Sequence, residues 1–147
     1  MTIIPARLKK GDKVMIIAPS RSLKLIKEDC RNIAEERLNK LGLEVVFAPN
    51  TTDENCDLTI STDVKKRVDD IHTAFADKSV KAILTVIGGF NSNQLIKHLD
   101  YDLIKKQSEN LHGFFGYYCI TYSNLCQNRF GDILWSALQF ARYVKRL

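Results

Sequence analysis

The sequence contains no run approaching the about 18 apolar residues that a membrane-spanning helix needs. Its N-terminal stretch, MTIIPARLKKGDK, lacks the apolar core that precedes a secretory cleavage site, so no export signal is expected. The four cysteines, Cys30, Cys56, Cys119 and Cys126, have no C-x-x-C spacing. They give no support to a metal site and read as free thiols of a reducing cytoplasm. Prolines number three and glycines seven, while 45% of the residues are hydrophobic and 27% charged. That composition excludes low-complexity disorder, and 147 residues suit one compact domain. A strong excess of charge is also missing. The net charge is +5, and residues 116–147 account for +3 of it, with Arg129, Arg142, Lys145 and Arg146 set against Asp132. The first 115 residues therefore carry only +2, with no basic face interleaved with stacking aromatics, which argues against a nucleic-acid partner.

What is present is an alternation of strand and helix signals. Lys13–Ala18 (KVMIIA) is a short apolar run closed by Pro19-Ser20 and reads as a buried strand. Leu23 to Leu41 places Leu25, Ile26, Ile33, Ala34, Leu38 and Leu41 near helical spacing, and Gly42 follows where a helix would stop. Glu44–Ala48 (EVVFA) is a second strand, stopped by Pro49-Asn50. The segment TTDENCDLTIS has no period and reads as a loop. Thr62 is the expected N-cap of a helix over DVKKRVDDIHTAFAD, with Val64, Val68, Ile71 and Phe75 on one face. Lys81–Ile87 (KAILTVI) is a third strand that runs into Gly88-Gly89. This order implies right-handed crossovers and a parallel sheet covered by helices on both faces, an α/β fold. Ligands of such sheets collect beyond the carboxyl ends of the strands. Three loops qualify: Pro19–Ser22, Pro49–Thr52 and Gly88–Asn93.

Four segments, taken together and in this order, resemble the LD-carboxypeptidase family of serine peptidases. They are LKKGDKVMIIAPS (8–20), FADKSVKAILTVIGGFNSNQLI (75–96), HLDYDLIKK (98–106) and Gly113-Phe114. The N-S-N-Q-L after the glycine pair is similar to the branch of microcin C immunity peptidases. The resemblance spans residues 5 to about 114. It implies a flavodoxin-like, class I glutamine amidotransferase-like N-terminal domain, and a Ser-Glu-His triad whose Glu and His come from a C-terminal domain. It implies hydrolysis of an amide bond in murein LD-peptides or peptide-nucleotide antibiotics, with no metal or organic cofactor. The implied partners are small peptide or peptide-nucleotide ligands, not nucleic acid or membrane, and self-association of full-length members is compatible with it. It further implies that Gly88 supplies an oxyanion-hole N–H, with Gly89 and Asn91 beside it as substrate-binding remnants. Glycine suits that place because bare backbone approaches a substrate closely.

The nucleophile of the family lies in G-[YF]-S-D-I-T at a strand-to-helix elbow, and its glycine follows D-L-I by nine residues. Nine residues after Ile104 come Gly113 and then Phe114, so the serine position is Phe115 and the aspartate position Gly116. Setting Gly116–Thr121 (GYYCIT) against the motif instead needs a three-residue insertion and still puts Tyr118 in place of serine. Back-translated and read one base later, Gly116–Thr121 can give D-I-T-A-L. In the same frame Leu125–Phe140 can give Y-A-K-T-G-L-V-T-Y-S-G-P-H-F-S, which is similar to the family's next stretch. One inserted base, or two lost, at the serine codon accounts for both. Residues 1–114 are then the peptidase-like domain and residues 115–147 an out-of-frame tail. No catalytic residue is expected: Phe115 cannot attack a carbonyl, Cys119 has no identifiable base, and His72, His98 and His112 lack a serine and carboxylate at readable spacing. An inactive remnant of the peptidase is the leading expectation, and a non-catalytic protein that binds a peptide or nucleotide conjugate is the alternative.

Overall fold

A computed structural model describes residues 7–57, 61–106 and 111–112. Strands β1 (Lys13–Ile17), β2 (Glu44–Phe47), β3 (Val80–Thr85) and β4 (Leu111–His112) alternate with helices α1 (Glu28–Lys40), α2 (Val64–Ala76) and α3 (Tyr101–Lys106). The strands form one parallel sheet in the order β2-β1-β3-β4. Val14 pairs with Val45 and Ala82, and Leu84 with His112, so β1 and β3 are the inner strands. Both are almost continuously apolar, as strands covered on two faces must be.

Successive side chains of a strand point to opposite faces, and each face has its own cluster. Met15, Ile17 and Ile83 meet Val68, Ile71, Ala74 and Phe75 of α2, with Leu95, Leu99 and Ile104 closing the cluster. Ile71 is fully buried, worth roughly 1.5–3 kcal/mol for such a side chain. Val14, Ile16 and Ala82 face the other way, against Leu8, Leu43 and the half-buried Leu38 and Leu41. The expected apolar face of α2 is thus the one that packs. Among the described residues no helix is long and apolar enough to cross a membrane.

Two expectations are corrected. The single helix over Leu23–Leu41 is divided into a 3-10 turn, Leu23–Leu25, and α1. Ser22 Oγ accepts the Lys24 N–H, Ile26 is extended, and the helix begins only after Lys27. The reason is a tertiary tie: the Ser22 hydroxyl and the Leu23 N–H both donate to the Thr51 carbonyl, at 3.1 and 3.0 Å. Leu25 and Ile26 therefore precede the helix rather than extend its face. The second correction is the cap of α2. Asp63, not Thr62, accepts the Lys65 N–H at 2.7 Å, while the Thr62 hydroxyl donates to Asp53 Oδ2 at 2.6 Å. Gly42 does end α1, with a φ of +81° that only glycine adopts freely, and its carbonyl accepts the Gly11 N–H.

Candidate functional site

Two of the three loops expected to gather at the carboxyl edge of the sheet, Pro19–Ser22 and Gly88–Asn93, are joined by a buried arginine, and the third is tied to the first through the Thr51 carbonyl. Arg67, in the first turns of α2, is 2% exposed. Its guanidinium donates to the carbonyls of Thr62 (2.9 Å), Pro19 (3.1 Å) and Asn91 (3.2 Å), and to Gln94 Oε1 (2.7 Å). Burial pulls its proton affinity down, and Asp57 and Asp63 oppose that. A cation near a helix N-terminus is unfavourable to the helix dipole, so four oxygen acceptors offset its charge. A second chain runs beneath the same loops. Asn91 Nδ2–H donates to Ser61 Oγ, which donates in turn to the Ser20 carbonyl, both at 2.6 Å. Asn91, Ser61 and Ser20 are all buried.

The loop after β2 is fixed by acids. The N–H and the side-chain amide of Asn50 donate to Asp70, whose carboxyl is pushed up by burial, with Asn50 acting against that shift. Asp53 receives hydrogen bonds from Lys66, Thr62 and the Asn55 N–H, which hold its carboxyl far below the usual range.

The glycine pair follows β3, and Gly89 lies against Ser20 and Arg21 of the β1 loop. A Cβ on Gly89 would stand 2.4 Å from Ser20 Oγ, closer than side chains tolerate, so glycine is required by packing. The Gly89 carbonyl accepts the Ser92 hydroxyl at 3.3 Å. Leu111 and His112 of β4 lie in parallel register with Ile83 and Leu84 of β3. Phe115 and the rest of residues 113–147, including Cys119, lie outside the described residues.

The family model for the LD-carboxypeptidase N-terminal domain matches residues 14–129. The chain belongs to the LD-carboxypeptidase family. A Treponema pallidum protein named "Putative carboxypeptidase" is 51% identical over 107 residues, covering 73% of this chain and 31% of its own. The Bacillus subtilis "Putative carboxypeptidase YocD" is 40% identical over 109 residues, 74% of this chain and 33% of its own. Among solved structures, an MccF-like protein from Bacillus anthracis matches with a TM-score of 0.69 and 43% identity, over 78% of this chain and 33% of its own. The chain thus spans about a third of the length of the curated relatives it matches.

Of the residues singled out in the sequence, Gly88 and Gly89 stand half-exposed at the loop edge. Asn91 lies underneath, and its side chain holds neighbouring loops together. Sequence reasoning missed Arg67, Ser61, Ser20 and Arg21. A signal existed for Arg67, since it falls four residues before Ile71 and seven before Ala74, on the apolar stripe of α2. Ser20 and Ser61 carry no comparable period, because they meet across 41 residues of sequence.

Proposed function

We propose that this chain is an inactive remnant of an LD-carboxypeptidase-type serine peptidase, broken at the nucleophile. The observation that carries the reading is the family spacing: Gly113 follows Ile104 by nine residues, which puts Phe115 where a serine is needed. The aligned stretches of the first two relatives cover 107 and 109 residues, close to the length of the segment from residue 5 to Phe114. The family match continues to residue 129. Gly116–Thr121 (GYYCIT) resembles the elbow motif closely enough to extend it, without restoring a serine. On this reading residues 115–147 are out-of-frame sequence, and Gly88 retains only a fragment of an oxyanion hole.

The test is turnover. The 147-residue protein should release no D-amino acid from an LD-tetrapeptide, and no nucleotide from an aminoacyl-nucleotide conjugate, above the buffer rate. Hydrolysis that persists in the Cys119→Ala variant would refute the proposal.

A further inference from the structure

The two faces of the sheet are covered unequally. Against the first pack α2, α3 and the 3-10 segment Phe90–His98. Against the second, among the described residues, the one helix is α1, which buries none of its own residues and reaches the cluster through Leu38 and the adjoining Leu41. The strand register sets Phe47, Ile16, Leu84 and His112 in one row across the four strands, and Ile16 belongs to that second face. Phe47 is 41% exposed, and Leu84 and Val86 are only half-buried. Inner strands of a parallel sheet are ordinarily covered on both faces, so this row calls for a further layer.

We propose that residues 132–147 of this same chain dock on the second face as an amphipathic helix, over Leu84 and Val86. The chain leaves the described fold at His112, which pairs with Leu84, and 35 residues follow it. The last 16 (DILWSALQFARYVKRL) carry Ile133, Leu134, Ala137, Leu138, Ala141 and Val144 at helical spacing, with Gln139, Arg142 and Arg146 on the opposite side. Wound as a helix they are about 24 Å long, enough to cross four strands about 14 Å wide. The 19 residues from 113 to 131 reach at most about 65 Å when extended, so the stripe has access to the whole face. Charge favours the same place. The segment sets Arg142, Lys145 and Arg146 against Asp132, while α1 at the rim carries Glu28, Asp29, Glu35 and Glu36, of which Glu36 alone is ion-paired among the described residues. The proposal stands apart from the peptidase reading, since it rests on the face and the stripe alone.

The experiment is methyl NMR of the unmodified 147-residue protein, labelled at Ile, Leu and Val. Through-space contacts are expected from the Leu84 and Val86 methyls to those of Ile133, Leu134 or Leu138, and they should not weaken on dilution. A mixed sample of labelled and unlabelled chains, filtered for contacts between chains, should show none of them. Leu138→Asp, which puts a charge in the stripe, should lose these contacts and shift the Leu84 methyls. Gln139→Asp, on the far side of the stripe, should keep them. Contacts that appear in the filtered mixed sample would show a second copy covering the face and overturn the proposal. So would contacts to Val68 and Ile71 on the first face instead, survival of the contacts in Leu138→Asp, or their absence from the unmodified protein.

Discussion

Helices α1 and α2 have the same length, 13 residues, and flank the same sheet, yet they carry different weight. In α2, six residues are buried, including Arg67 and Asp70, and the helix supplies both a core face and the polar ties of the loops. In α1 none is buried, and Ile33 stands 48% exposed. The α2 face is where sequence, core and candidate site converge. The described residues leave the outer side of α1 bare, although Leu38 and Leu41 still reach the second cluster.

The comparison can be broken by one matched pair of substitutions. Ile71→Ala removes a fully buried side chain and should cost about 2–5 kcal/mol in chemical denaturation. Ile33→Ala makes the same chemical change on an exposed face and should fall within about 0.5 kcal/mol of the parent. Equal costs would show that α1 is covered in the intact chain.

A smaller effect separates the acids tied to α2. Asp53 has a depressed carboxyl pKa, so its contribution is fully present above the unfolded value of 3.8 and is lost as pH falls toward the folded one. Asp70 is shifted upward by burial, so its ionised form costs stability at neutral pH and that cost fades on acidification. Asp53→Asn should therefore lower the denaturation midpoint at pH 7, with a deficit that shrinks as pH drops from about 4 toward 2. A deficit that stays constant over that range would place the stabilisation in packing rather than in the carboxylate.

Much of the fold was legible because it rests on local pattern. The apolar runs of β1 and β3, the 3.6-residue stripe of α2 and the glycine after α1 each report their element directly. The break between Leu25 and Glu28 was not legible, since it depends on Thr51, which lies beyond a second strand. The candidate loops followed from strand order, but the arginine that ties the loops after β1 and β3 did not. Arg67 looks like a surface residue until its four acceptors, contributed by three other segments, are in place.

The central claim is that one displaced reading frame separates this chain from an active peptidase, and repairing the gene tests it most directly. On the proposed reading, deleting one base at the Phe115 codon would restore S-D-I-T and the downstream frame together, whereas Phe115→Ser would restore only the hydroxyl. The account predicts a longer product that releases D-amino acid from LD-tetrapeptides, with no activity in the unrepaired protein or in Phe115→Ser. Turnover by the unrepaired chain at the rate of the repaired one would contradict it.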